Sequence, residues 1–455
     1  MTPKTLAPWS KVGVIEASHF DAETAYAAID RHRLDDLSPE ILRTRDGGKS
    51  WSSIARGIPD GSFVNVVRED PARRGLLYAG TETAVFVSFD DGDRWQPLKM
   101  NLPSCSVRDI DVRHGDLVVG THGRAFWVLD DISPLRQLDA AATAKDLTLV
   151  APRAAVRFHA APFQGTPEPK DEPMAENPPA GALLDYVVRS ESSDPLVLEI
   201  LDAKGALVRR YASDETSPPP DMAKIHVTPD WIPLAGPPPA SAGGHRFVWD
   251  LHYALAAELV KPAGESRETI GPWAPPGRYT VRLTRGKTAV TQPLVVVRDP
   301  RLPSSITDAD LVRQYELARD VETLRVRVAK GLRQAGSLRE QIAALHQKPT
   351  GDAAAALDAL STSIDADAGP AVPSPFGTVD GDTTSLRRLA SSLSDLQAAV
   401  ESADSGPTRD ARTAFAQRGT LVAQGLARWQ ALLAEDVARA NARLAAAGLA
   451  VLTVH

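Results

Sequence analysis

The stretch RTRDGGKSW, from Arg43 to Trp51, returns in altered form as VSFDDGDRW, from Val87 to Trp95. Both stretches fit the pattern S/T-x-D-x-G-x-x-W. Its fixed positions are Thr44, Asp46, Gly48 and Trp51 in the first copy and Ser88, Asp90, Gly92 and Trp95 in the second. The two aspartates lie 44 residues apart, within the roughly 40–50 residues of a four-stranded propeller blade. The repeat therefore predicts two successive blades.

Each residue type in the pattern suits the tip of a β-hairpin. An aspartate carboxylate accepts hydrogen bonds from backbone N–H groups of its own turn. Gly48 and Gly92 can adopt a positive φ at little cost. A tryptophan at the start of the next strand offers a large apolar surface that can pack between blades. We expect both turns to be structural.

Short apolar or alternating runs flank the two turns and extend the pattern to a third unit. They are KVGVIEAS, TAYAAID, EILRT, FVNVVRED, LLYAG, AVFVSF, VRDIDVR, DLVVGT and AFWVLDD. Each has the length of a strand and is bounded by turn residues. Residues 1–140 are predicted to form a partial β-propeller of about three blades. Three blades cannot close a ring, so we expect Met1 not to be the start of the whole protein. We also expect the missing blades or self-association to cover the outer faces.

The segments TRDGGKSW and SFDDGDRW resemble the Asp-box (BNR) repeats of sialidases, sortilin-type propellers and xyloglucanase-type glycosidases. GTHGRAFWVLDD resembles the last-blade signature of large bacterial BNR-repeat, sortilin-like propeller proteins. HRFVWDLHY, PPGRYTVRLTRGKTAVTQPLVVVRDPR and ADSGPTRDA look like the C-terminal region of that group. The resemblance covers most of this chain but only the end of a full-length member. It implies an exported parent protein, periplasmic or extracellular, of glycosyl-hydrolase-like BNR type.

The remainder of the chain divides by composition. Residues 141–180 contain the Pro-rich run APFQGTPEPKDEPMAENPPA and are predicted to be a linker. Residues 181–303 hold six alternating runs, which predict an Ig-like β-sandwich. In residues 304–455, apolar residues recur every three or four positions over three segments. That period predicts an antiparallel α-helical bundle of three helices.

Composition excludes several classes of function. The net charge is −7 and no basic block occurs, so no nucleic-acid partner is predicted. Cys105 is the single cysteine, which excludes an intrachain disulfide or a thiolate zinc site. No apolar run is long enough for a transmembrane segment, and the first twenty residues lack the apolar core of a signal peptide. We predict no metal, no cofactor and no catalytic residue.

The geometry of a blade places the candidate ligand residues. Loops between the second and third strands would lie on the face where propellers bind ligands, opposite the acidic turns. These loops are RHRLDDLSPE, TETA and THGR. The candidate ligand-face residues are Asp35, Asp36, Glu82, His122 and Arg124. Either they line a polar pocket, or they are ordinary solvated loop residues.

Two functions are consistent with these features. The favoured one is a non-catalytic binding or scaffold protein that engages a protein, peptide or glycan ligand. The alternative is a glycosidase-like hydrolase whose active site is completed by blades missing from this chain. Glycoside hydrolysis requires two carboxylates, and Asp35, Asp36 and Glu82 are the candidates. Tyr26 and Tyr78 fall inside predicted strands, so neither fits a sialidase nucleophile.

Overall fold

The β-runs around the two acidic turns fold into three antiparallel sheets. The computed structural model describes residues 2–3, 6–159, 178–215, 236–260, 270–345, 351–370 and 384–454. The first sheet has strands β1 Lys11–Ala17, β2 Ala25–Asp30, β3 Glu40–Thr44 and β4 Ser52–Ser53. The second has β5 Val64–Glu69, β6 Leu77–Thr81, β7 Val85–Ser88 and β8 Gln96–Pro97. The third has β9 Ser106–Arg113, β10 Asp116–His122 and β11 Phe126–Leu129. In every sheet, strands adjacent in sequence are neighbours.

All three sheets share one irregularity of register. The pairing of the first two strands shifts by one residue at Gly13, at Asn65 and at Arg108. A bulge of this kind adds twist and fixes the register. Because the bulge recurs, the three sheets can be aligned residue by residue. The alignment includes the third sheet, although that sheet lacks the acidic turn.

The second sheet is buried on both faces. We call the side toward the preceding sheet the front face and the opposite side the back face. The front face of the second sheet presents Val64, Val67, Leu77, Ala79, Phe86 and Trp95 to the first sheet. Its back face presents Val66, Tyr78, Val85 and Val87 to the third sheet. The three sheets therefore stack in chain order, with one apolar core at each junction.

Two further sheets enclose a separate core. One contains β12 Leu147–Leu149, β14 Ala182–Val188 and β17 Gly243–Trp249. The other contains β13 Ala155–Arg157, β15 Leu196–Leu201, β16 Leu207–Ala212, β18 Gly277–Arg285 and β19 Thr288–Arg298. Residues that alternate along these strands bury a common apolar cluster, with Trp249 among them. Two short helices, α1 Ser133–Gln137 and α2 Ala140–Thr143, lead into this two-sheet region from the third sheet.

Strands β12 and β13 lie inside the range 141–180 that the composition predicts to be a linker. β12 pairs with β14, and β13 pairs in parallel with β19. These six residues therefore belong to the sheets, and the two-sheet region begins before residue 181. Residues 160–177 of the expected linker lie outside the described residues.

The C-terminal region is helical. Its helices are α3 Asp308–Leu345, α4 Asp352–Ala368, α5 Leu386–Val400 and α6 Arg409–Ala446. Apolar side chains from all four helices share one core. The N-terminus of α3 is closed by a reciprocal capping box, because Thr307 and Asp310 each bind the other's backbone N–H. Helix α4 is an addition to the three helices predicted from periodicity.

Polar contacts that are wholly or partly buried join the three regions. Arg246 on β17 binds Asp185 and also donates to the carbonyl groups of Asp130 and Asp131, at the exit of the third sheet. Arg157 on β13 donates to Gln314 on α3. Within the described residues, no helix is both long enough and apolar enough to span a bilayer.

Candidate functional site

The loops between second and third strands leave all three sheets at one edge, because antiparallel strands alternate in direction. We call this the loop edge: residues 30–40, 62–63, 82–84, 104–108 and 122–125. The acidic turns join third to fourth strands and lie at the opposite edge. The five predicted ligand-face residues all fall on the loop edge.

In the first sheet, Arg31 organises the loop. Its Nε lies 2.7 Å from Asp36 Oδ2, and its guanidinium also pairs with Glu40. The backbone N–H and the hydroxyl of Ser38, followed by Arg31, hold the pKa of Asp36 below its ordinary value. Asp35 is exposed at a positive φ of 59°. Asp36 is thus bonded within its own loop, and Asp35 faces solvent.

His32 and Asp30 form a pair that the sequence reasoning did not single out. The ring Nδ1 of His32 lies 2.6 Å from Asp30 Oδ1, and the ring stacks on Phe63 of the second sheet. Burial raises the pKa of Asp30, but the backbone and ring bonds from His32 outweigh it and leave the pKa below its ordinary value. In the sequence, an Asp-x-His triplet at the end of a predicted strand could have indicated this pair.

Glu82 links the second sheet to the third. Its Oε2 accepts a hydrogen bond of 2.6 Å from the hydroxyl of Ser106 and lies 3.5 Å from Arg108 Nη2. Ser106 is the register partner of His122. Glu82 and His122 are therefore brought to one place through Ser106.

Arg124 completes this group. Burial raises the pKa of the Cys105 thiol, and the nearby charge of Arg124 opposes that rise. The structure thus gathers Glu82, His122 and Arg124 around residues 105–106. Asp35 and Asp36 remain in the loop of the first sheet.

At the opposite edge, the two acidic turns have the same hydrogen bonds. Asp46 Oδ1 accepts the N–H of Ser50 at 2.8 Å, and Asp90 Oδ1 accepts the N–H of Arg94 at 2.9 Å. Hydroxyl groups of Thr44 and Ser88 each accept an N–H at 2.9 Å, from Gly48 and Gly92 respectively. Both glycines have positive φ, 84° and 89°. These residues hold the turns closed.

The two tryptophans that follow the turns differ in depth. Trp95 is fully buried between the first and second sheets, and its Nε1 donates to the carbonyl of Ile54 at 2.6 Å. Trp51 is half-buried and packs on the front face of the first sheet. The second tryptophan is a wedge between sheets, as the pattern predicts.

Asp91, which follows Asp90, ties the second sheet to the first. It accepts hydrogen bonds from Tyr26 and Arg45, and its carboxylate lies 3.2 Å from Arg43. Burial, followed by the hydrogen bond to Asp91 and then the charge of that carboxylate, raises the pKa of Tyr26 above its ordinary value. Tyr26 is therefore a buried donor and not an ionisable nucleophile. A polar cavity of about 490 Å³ borders these groups.

Within the described residues, no group of three or more His, Cys, Asp or Glu side chains is placed to hold a metal ion. The loop edge instead offers guanidinium groups, hydroxyl groups and imidazoles. Chemically, it can bind a polar ligand by charge and hydrogen bonding.

No family model matches the sequence, and no curated protein matches it. Among solved structures, the chain is similar to YCF48 bound to D1 peptide, with 18% identity, a TM-score of 0.21 and coverage of 27% of this chain and 37% of that chain. It is also similar to a Niastella koreensis GH74 enzyme, with 11% identity, a TM-score of 0.22 and coverage of 63% and 46%. A Xanthomonas campestris GH74 xyloglucanase gives 11% identity, a TM-score of 0.20 and coverage of 62% and 38%.

The chain spans less than half the length of each of these three structures. With TM-scores this far below 0.5, the three likenesses carry no argument about the chemistry of this chain.

Proposed function

We propose that residues 1–140 are three blades of a BNR-repeat, sortilin-like β-propeller, that the two-sheet region is an Ig-like β-sandwich, and that the chain is a non-catalytic binding protein. Its ligand would be an acidic polypeptide segment lying across the loop edge. The repeated four-strand pattern, the shared bulge and the matching turn bonds support the blade assignment.

One observation carries the choice of ligand. The carboxylates of Asp30, Asp36 and Glu82 are each held by partners inside the loop edge. By contrast, the exposed side chains of Arg33 and Arg124 make no ion pair in the part of the chain that the structure describes. Guanidinium groups bind carboxylates through paired hydrogen bonds. Asp35 also faces solvent, but these two guanidinium groups outnumber it, so the edge is better matched to a ligand that brings carboxylates.

The same contacts weigh against hydrolysis. A glycosidase needs a carboxylic acid with a raised pKa beside a second carboxylate. Asp30 and Asp36 have pKa values below the ordinary value, which keeps them ionised near neutrality. Glu82 is bound to Ser106. No observation at this edge favours the hydrolase over the binding protein.

The test is binding of a fluorescent aspartate-rich peptide, compared with a peptide in which asparagine replaces each aspartate. We expect the acidic peptide alone to bind, with affinity that falls as salt is raised. The double variant Arg33→Ala/Arg124→Ala should lose binding. Lys49→Ala, an exposed substitution at the acidic-turn edge, should retain it.

A second assay measures release of reducing sugar from xyloglucan. Turnover by the wild-type chain that disappears in Glu82→Gln would contradict the proposal and support the hydrolase. Equal binding of the two peptides would also contradict it.

A further inference from the structure

The contact between two successive sheets occurs twice in this chain, so the molecule contains its own template for that junction. Aligned by the bulge, Val64, Val67 and Ala79 of the second sheet correspond to Val12, Ile15 and Ala27 of the first. The front face of the second sheet buries its three residues against the first sheet. The first sheet carries apolar residues at the same three positions.

Among the residues that the structure describes, no sheet covers the front face of the first sheet in the same way. Val12 is 44% exposed and Ile15 is 64% exposed, whereas Val64 and Val67 are fully buried. Leu6 packs over Ala27 and the adjacent strands and leaves β1 uncovered. An apolar cavity of about 440 Å³ opens on this face. Open apolar surface of this kind marks an interaction site.

The back face of the third sheet is the matching half of the junction. Phe126 and Val128 correspond to Val85 and Val87 of the second sheet through their pairing with β10 and β6. Val85 and Val87 are buried against the third sheet, but Phe126 is 79% exposed and Val128 is 53% exposed. One chain thus exposes both halves of a contact that it makes internally twice.

We propose that the front face of the first sheet binds the back face of the third sheet of a second copy of this chain, and that two copies close head to tail. Such a contact is heterologous, because different surfaces meet, and two of them close a ring under twofold rotation. Two sets of three sheets make six, within the range of about four to eight sheets that closed propellers have. Closure covers both open faces at once.

The polar residues at the junction between the first and second sheets support a second copy of the chain as the partner. Between the first and second sheets, Asp91 binds Tyr26 and Arg43. The residue equivalent to Asp91 in the first acidic turn is Gly47, and the third-sheet residues equivalent to Tyr26 and Arg43 are Val118 and Val128. The carboxylate and these two partners are absent together. These three positions therefore bring no charged side chain to a junction between copies.

The test combines one variant of each face. Ile15→Asp places a charge on the front face, and Val128→Asp places one on the back face. Both side chains are exposed, so each variant should fold, which circular dichroism checks. Leu207→Asp, at an exposed apolar position of the two-sheet region, is the control. Sedimentation velocity measures the mass of each protein against the 48.7 kDa chain.

We expect the wild type and the control to sediment as dimers and each face variant as a monomer. A one-to-one mixture of the two face variants should recover dimers, because one copy keeps an intact back face and the other an intact front face. The mixed dimer has a single intact junction and should dissociate at a concentration more than about tenfold higher than the wild type.

Three results would overturn the proposal. These are a monomeric wild type across the concentration range, a face variant that stays dimeric, and a mixture that stays monomeric. A series of species larger than the dimer would overturn the closed ring. If Ile15→Asp does not fold, Val12→Asp replaces it on the same face.

Discussion

Asp46 and Asp90 answer why an acidic, glycine-rich turn recurs with a tryptophan at its end. Each carboxylate accepts the N–H of the residue four positions later. That bond lets the chain reverse tightly and places the following tryptophan on the front face of its sheet, where Trp95 packs against the first sheet. The aspartates act on the backbone, and they belong to the fold and not to the loop edge.

Asp46 should show this role in its titration. The hydroxyl of Ser50, followed by the N–H of the same residue, lowers the pKa of Asp46 to about 2 from 3.8. The stability from this turn is therefore fully present above about pH 4 and is lost as the pH falls through about 2. Carbon-detected NMR titration should find the midpoint near 2. Ser50→Ala should move it upward, and an unchanged midpoint would contradict the assigned cause.

Gly57 lies where the chain passes between the first two sheets. It has a φ of 103°, and a Cβ there would meet the carbonyl oxygen of Trp95 at 2.3 Å. Gly61 also has a positive φ, 83°, but its Cβ would meet nothing within 4 Å. Gly61→Ala should cost about 1–2 kcal/mol of backbone strain. Gly57→Ala should cost clearly more, because rigid backbone must move.

Calorimetry of both alanine variants checks this. Equal losses in the melting temperature of the N-terminal sheets would mean that the contact with Trp95 is not tight. Both variants place alanine at a positive φ. The difference between their melting temperatures therefore measures the close contact of residue 57 with Trp95.

At the scale of elements, the spacing of apolar residues predicted those helices and strands whose formation depends on residues close together in the sequence. The long helices α3 and α6 follow from apolar residues spaced by three and four, and the capping box at Thr307 marks where α3 begins. Helix α4 was missed because its apolar residues are few and are separated by alanines. Strands β12 and β13 were missed because each has only three residues and pairs with a strand far along the chain.

The candidate site also has some features that the sequence predicted and others that it did not. Strand order alone placed Glu82, His122 and Arg124 at one edge of the sheets. The pair of Asp30 with His32, and the reach of Asp91 to Tyr26, depend on how sheets stack. Distances across a junction are set by packing, and no local pattern contains them.

Val328 tests the predicted helical core. It is fully buried on α3, in the cluster to which all four helices contribute. Val328→Asp buries an unpaired charge and should cost about 3 kcal/mol or more. Arg327→Asp, at the exposed neighbouring position, should cost far less. Far-ultraviolet circular dichroism during thermal unfolding measures both, and equal melting of the variants would disprove burial at Val328.

At the scale of the whole molecule, the two-sheet region and the helices meet through a buried polar group. Arg157 on β13 is fully buried, and its Nε lies 3.2 Å from Asp404 Oδ1. It also donates to Gln314, whose amide donates to the carbonyl groups of Val400 at 2.8 Å and Ala403 at 2.6 Å. Burial lowers the pKa of Arg157, and the charge of Asp404 opposes that change. The Asp404 carboxylate thus favours the charged form of Arg157.

The stability of this junction should depend strongly on Arg157 and Asp404, because a buried ion pair responds differently to the loss of one partner and to the loss of both. Removing one partner leaves an uncompensated charge in the interior, at a cost of about 3–5 kcal/mol, whereas replacing both with apolar residues is often neutral. An exposed pair lacks this asymmetry and contributes about 0–1 kcal/mol. Arg210 and Glu215 form such a pair at 2.5 Å, with both side chains exposed.

Arg157→Met should therefore separate the unfolding of the helices from that of the two-sheet region, because it strands the Asp404 carboxylate at their interface. The double variant Arg157→Met/Asp404→Leu should recover most of the lost stability, and Arg210→Met should change little. Differential scanning calorimetry of the three variants decides this, since an uncoupled junction gives two transitions where a coupled one gives a single transition. If the double variant is no more stable than Arg157→Met, the loss lies in the bond to Gln314 and not in the ion pair. The helices would then be held to the sheets by the amide that bridges Arg157 to the carbonyl groups after α5.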